Sequence, residues 1–185
     1  MGRAGLYTAF YFSAGVLDTG GCGPHGLALA AHRRGFPTDI YVNGDGVLFR
    51  ESVRSEDKRD VITLVHDDFV RQAAECGIPV RHHVAGTAER ERCYASGGIP
   101  LVLISTYRLT RERAPHWVVV TGCNERYLFI NDPDNASGLP ESERTNIAIL
   151  KKDFERIARY GRNATKAVVV LYSPVHRAAP PALSS

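Results

Sequence analysis

The apolar positions change period along the chain, and those changes lay out its elements. Residues 27–31 are apolar on every side and Gly35 ends the run, a pattern that predicts a short helix buried all round. The stretch TDIYVN, residues 38–43, predicts a strand, and Asn43-Gly44-Asp45-Gly46 a turn. Ser55 then stands as an N-cap before a long helix whose Val61, Leu64, Val65, Phe69, Ala73 and Cys76 form one stripe, with Gly77 as its stop. A strand over 80–84, a helix over 89–95 and an apolar strand over 100–106 follow. Two β runs, HWVVVTG (116–122) and RYLFIND (126–132), are joined by Cys123, Asn124 and Glu125, which is hairpin spacing. A helix over about 153–160, stopped by Gly161, leads into the strand KAVVVLYS. Helices come early and a hairpin-rich sheet comes late, so the predicted class is α+β, with helices packed on a late antiparallel sheet.

At 185 residues and 44% hydrophobic, the chain has enough apolar surface for a core, expected as one domain over residues 1–173. The Pro/Ala/Ser tail, residues 174–185, is expected to be disordered. Lys and Arg number 23 against 20 Asp and Glu, a net charge of +3 with no block of five like charges. That spread argues against nucleic acid or an anionic membrane surface as a partner. No window approaches the roughly 18 apolar residues of a membrane span. Residues 6–17 are rich in Tyr and Phe and run straight into Asp18, so they read as mature chain rather than a secretion signal. The spacings of Cys22, Cys76, Cys93 and Cys123 match no small disulfide scaffold, and reduced thiols in the cytoplasm are expected. The sequons at Asn135 and Asn163 read as chance.

Two constellations carry chemistry. Cys22 lies in GGCGPHGLALAA, directly before Gly23 and a Pro24 suited to the first helical position. Backbone N–H groups and the dipole at a helix start favour a thiolate, which is how a nucleophile is made. The same residue also reads as a small buried cysteine in a glycine turn. The second is His116 with Asp132. If the hairpin closes about Asn124 and Glu125, His116 falls opposite Pro133, with Asp132 beside it and within reach of the ring. A carboxylate on one imidazole nitrogen fixes the tautomer and leaves the other to take a proton from a thiol. The plainer reading is a rim histidine and an aspartate making a turn before Pro133.

Other patterns point elsewhere. GCGPHG, residues 21–26, satisfies G-x-G-x-x-G, with Asp45 placed as a dinucleotide-binding unit wants, but Asp18, Thr19 and Gly20 separate the glycines from the preceding apolar run. That unit is kept as a distant alternative. Cys76, His82, His83 and Cys93 do not make a metal site, because adjacent histidines on a strand face opposite ways and no C-x-x-C or H-E-x-x-H exists. Ser105 sits inside an apolar strand and lacks a G-x-S-x-G elbow. The run RLTRER, residues 108–113, reads as a solvated loop that also suits an acidic peptide end.

Taken in order, CGPHGLALA, PHWVVVTG and YLFINDPD resemble the Cys, His and Asp segments of the C39-like peptidases, a branch of the papain-like cysteine peptidase fold. The resemblance runs from about Gly20 to Leu171 and is strongest in the HWVVVTG and NDPD hairpin. It implies a papain-like fold and a cysteine peptidase, with Cys22 as nucleophile, His116 as general base and Asp132 as orienter, a peptide or protein substrate, and no cofactor or metal. Two departures accompany it. The family's glutamine before the nucleophile is missing, since the only glutamine is Gln72. The branch also carries an earlier Cys-Gly-Pro helix segment as nucleophile, with GGCGPHG as a second, downstream element. The resemblance therefore leaves three expectations: Cys22 acts in its place, the chain is an N-terminally truncated member or its start is misassigned and a partner supplies the missing segment, or the domain is a peptidase relative that binds peptide without cutting it.

Overall fold

The computed structural model describes residues 22–83, 86–105, 115–134, 138 and 140–174. Residues 6–17, the Arg108–Arg113 run and the tail from 175 onward, on which expectations were placed, lie outside them.

Among the described residues seven strands form one sheet. In chain order the elements are α1 (Pro24–His32), β1 (Thr38–Val42), a 3-10 turn (Arg50–Ser52), α2 (Glu56–Glu75), β2 (Val80–Arg81), α3 (Thr87–Ala95), β3 (Ile99–Ser105), β4 (Pro115–Cys123), β5 (Tyr127–Asn131), α4 (Glu141–Arg144), β6 (Ile147–Leu150), α5 (Lys151–Ile157) and β7 (Ala167–Leu171). The strand order is β2-β1-β7-β3-β4-β5-β6. Among these described strands β1 and β2 run parallel, and the other neighbouring pairs are antiparallel. The α+β class holds, but the sheet is mixed and is not confined to the late chain. The early strand β1 is inserted between β2 and the last strand β7 because its side chains are buried along its whole length, which only a central position satisfies.

Each face of the sheet carries its own core. On one, Ile40, Val42, Leu101, Leu103, Trp117 and Val119 pack with α1. On the other, Val102, Ile104, Val118, Val120, Leu128 and Ile130 pack with Phe154 and Ile157 of α5. Helix α1 is buried from Pro24 to Ala31, as an apolar run with no polar face must be. It lies between the sheet and α2, and burial of Leu27 and Leu29 stabilises that arrangement by roughly 1.5–3 kcal/mol each. Its end is marked by Gly35 at φ 83°, a left-handed conformation that favours glycine.

The predicted stripe of α2 is only partly the buried one. Ile62 and Ala73 are buried and Phe69 packs beside them, whereas Val61, Leu64 (72% exposed) and Cys76 face solvent. The reason is that α2 docks on α1 and not on the sheet, and a helix-on-helix seam is narrower than a helix-on-sheet face. Ser55 occupies the N-cap by position, although its side chain makes no capping bond. Strand β6 was not expected; its four residues pair with β5 and close that edge of the sheet. Among the described residues no helix is long and apolar enough to cross a membrane.

Candidate active site

Strand β4 positions the imidazole. It pairs with β3 so that Ile104 lies across from His116 and Leu103 across from Trp117. Side chains alternate between the faces of a strand. His116 therefore shares the face of Ile104, Val118 and Val120, and Trp117 takes the face of Leu103 and Val119. Asp132 follows β5 directly and, in step with Leu128 and Ile130, takes the same face as His116. There His116 Nε2 and Asp132 Oδ1 are 2.7 Å apart.

The pairing that brings them together is one residue out from the expected register. Val119 lies opposite Asn131, with a bulge between Val120 and Gly122. The contact is made nonetheless because Asp132 is past the strand end and is held by its own turn. The Asp134 N–H donates to Asp132 Oδ1 at 2.9 Å, and the Asp132 N–H donates to the Arg144 carbonyl at 2.7 Å. Partial burial alone would raise the Asp132 carboxyl, but the hydrogen bond and charge of His116, helped by the Asp134 N–H, hold it below the usual carboxylate range. An ionised Asp132 keeps the proton of the neutral ring on Nε2, so Nδ1 is the nitrogen with a lone pair to offer.

Cys22 lies elsewhere. It ends the segment before the Gly23 N-cap and Pro24, at the start of α1 as its sequence predicted, and belongs to the core cluster of Trp117 and Leu103. Its backbone carbonyl accepts the Trp117 indole N–H at 2.8 Å. Burial pushes its thiol up to about 12, only partly countered by the Leu27 N–H. Of the three residues expected to meet, the sheet thus brings His116 and Asp132 together, while Cys22 belongs to the core on the Trp117 face.

The other thiols are also remote from His116. Cys123 is seven residues along β4, roughly 23 Å at 3.3 Å per residue. Cys93 accepts the Gly98 N–H just before β3, at the opposite end of that strand from the Ser105 and Pro115 pair, roughly 20 Å away by the same rise. Cys76 is exposed at the end of α2, on the α1 side of the sheet. Among the described residues no group of three His, Cys, Asp or Glu is disposed to hold a metal ion. His82 and His83 diverge, the first to Asp45 at 2.5 Å and the second to Glu89 at 2.7 Å.

Two residues that organise this region were not singled out from the sequence: Trp117, which clasps α1, and His25, buried as the second residue of that helix. The signal for His25 was available, a single polar side chain inside an otherwise apolar helix run.

A family model described as Peptidase_C39 like family matches residues 7–172, most of the chain. No curated protein and no solved structure matches it.

Proposed function

The chain belongs to the Peptidase_C39-like family, and from that premise we propose that it is a papain-like domain for thiol-mediated cleavage of peptide bonds, in which His116 and Asp132 transfer the proton. The observation that carries this reading is the 2.7 Å contact of His116 Nε2 with Asp132 Oδ1 on one face of the sheet. In the proposed reaction a thiol gives its proton to His116 Nδ1 as sulfur attacks the peptide carbonyl. Asp132 steadies the imidazolium through Nε2. The imidazolium then protonates the departing amine, and water hydrolyses the thioester with the same imidazole as base.

A nucleophile for this base has to approach on the Val118 face, which favours a thiol brought by a partner or segment outside this sequence. The cytoplasm is its proposed setting, on the strength of cysteine spacings unlike a disulfide scaffold. A second reading keeps Cys22 as nucleophile, favoured by its place just ahead of the Gly23 N-cap, where unpaired N–H groups collect.

One experiment separates these. An activated peptide ester is incubated with cysteamine and the chain, and thiolysis is followed for wild type, His116→Ala, Asp132→Asn and Cys22→Ala. The proposal expects acceleration over buffer that is lost in H116A, reduced in D132N and kept in C22A. Loss in C22A would move the nucleophile to Cys22. Indifference to His116 would remove the proton-transfer role altogether.

A further inference from the structure

Helix α1 carries a buried imidazole that the proposed reaction does not use. His25 is 7% exposed, and its Nδ1 is buried without a hydrogen-bond partner. The strands beneath the helix, β1 and β7, turn Ile40, Val42, Val169 and Leu171 toward it. Across the helix, His66 of α2 meets the His25 ring edge to face, with centroids 5.4 Å apart and planes at 88°. His82, after β2, is the other group whose charge acts on it. The nearby carboxylates are engaged or displaced: Asp45 pairs with His82, and Asp67 acts on His66. Cys22, three residues earlier, presents a buried thiol.

We propose that His25 is an acid-sensitive latch: its neutral ring lets the start of α1 dock between the sheet and α2, and protonation releases that start together with the Cys22–Trp117 clasp. A neutral imidazole leaves one acceptor unsatisfied at this place. An imidazolium would put a second N–H donor and a full charge there, where among the described residues the charges that act on it are those of His66 and His82, and burying such a charge unpaired is costly. Burial, with His66 and His82, accordingly holds the ring at about 4, against an ordinary 6.5. A His25 that has left its place titrates near the ordinary value. Below that value the released form therefore gains a proton that the docked form refuses, and docking weakens as pH falls from about 6.5 toward about 4. The carboxylates held low, Asp68, Asp132 and Glu155, lose their contributions from ordinary values of 3.8, 3.8 and 4.5 downward, at the acid edge of this window or beneath it.

The chain's single tryptophan reports on the latch directly, because Trp117 is the residue that holds Cys22. Emission of the full 185-residue chain is recorded from pH 8 to pH 4 beside far-UV circular dichroism. Wild type is expected to shift to the red with a midpoint between 4 and 6.5, and His25→Phe to move that midpoint down by at least about one pH unit. An unmoved midpoint in H25F would overturn the latch. Should H25F not fold, the His25 Cε1–H resonance of wild type decides: titration coincident with the Trp117 shift supports the latch, whereas titration near 6.5 with constant emission sinks it. None of these outcomes depends on the reaction proposed above.

Discussion

Trp117 donates its indole N–H to the Cys22 carbonyl at 2.8 Å, while the preceding residue of the same strand, His116, faces the opposite side of the sheet. One strand thus anchors helix α1 with one face and presents the imidazole on the other. Replacing Trp117 with Phe keeps most of the buried ring but leaves that carbonyl without its donor, which is expected to cost about 1–3 kcal/mol. Urea unfolding followed by circular dichroism measures it.

The Cys22 thiol is expected to be a poor nucleophile in the folded chain. A thiol at about 12 holds on the order of 10³-fold less thiolate at pH 8 than one near its ordinary value. With iodoacetamide and peptide mass spectrometry, exposed Cys76 should be alkylated first and Cys22 only as the chain unfolds. Prompt, low-pH alkylation of Cys22 would contradict its burial.

Asp132 ties stability to acid. Its folded carboxyl sits below the ordinary 3.8, so its contribution is fully present above that value and is lost as pH falls through the lower folded one. Asp132→Ala is expected to lower stability by about 1 kcal/mol at pH 7, discounted for partial exposure, and to flatten the acid limb of the unfolding curve. Thermal melts between pH 3 and pH 7 test both.

Arg90 is the most deeply buried charge among the described residues, 1% exposed, and pairs with Glu155 of α5 while its guanidinium lies 5.2 Å from the Phe154 ring centroid. Thr87 donates to the same carboxylate, and Lys166 reaches its other oxygen at 3.3 Å. Glu155→Leu would remove the carboxylate that balances the buried guanidinium and is expected to cost about 3 kcal/mol or more. Arg90→Met removes the buried charge itself, leaves a partly exposed carboxylate that Lys166 still serves, and is expected to cost less. Chemical denaturation of both variants gives the order, and the reverse order would mean that α3 and α5 are held by something else.

Much of the local structure was legible because it rests on short-range rules. Short apolar runs bounded by turn residues specified the strands, Asn124 and its neighbours specified the hairpin, and the hairpin brought Asp132 within reach of His116 even with the register one residue out. The Asn124 side chain does this by accepting the Arg126 and Tyr127 N–H groups at 3.0 and 2.8 Å. The stripe of α2 was less legible, since hydrophobic periodicity says that a helix has an apolar side and not which neighbour covers it.

By itself, the sequence determined that His116 and Trp117 point to opposite faces, that α1 is buried on all sides, and that Cys22 stands just ahead of it, because alternation, apolar content and helix-start chemistry are properties of adjacent residues. Only the tertiary structure decided on which face of the sheet α1 lies, and hence that Cys22 meets Trp117 and not His116. That choice depends on β1 entering the sheet between β2 and β7, a long-range burial requirement that no local pattern encodes.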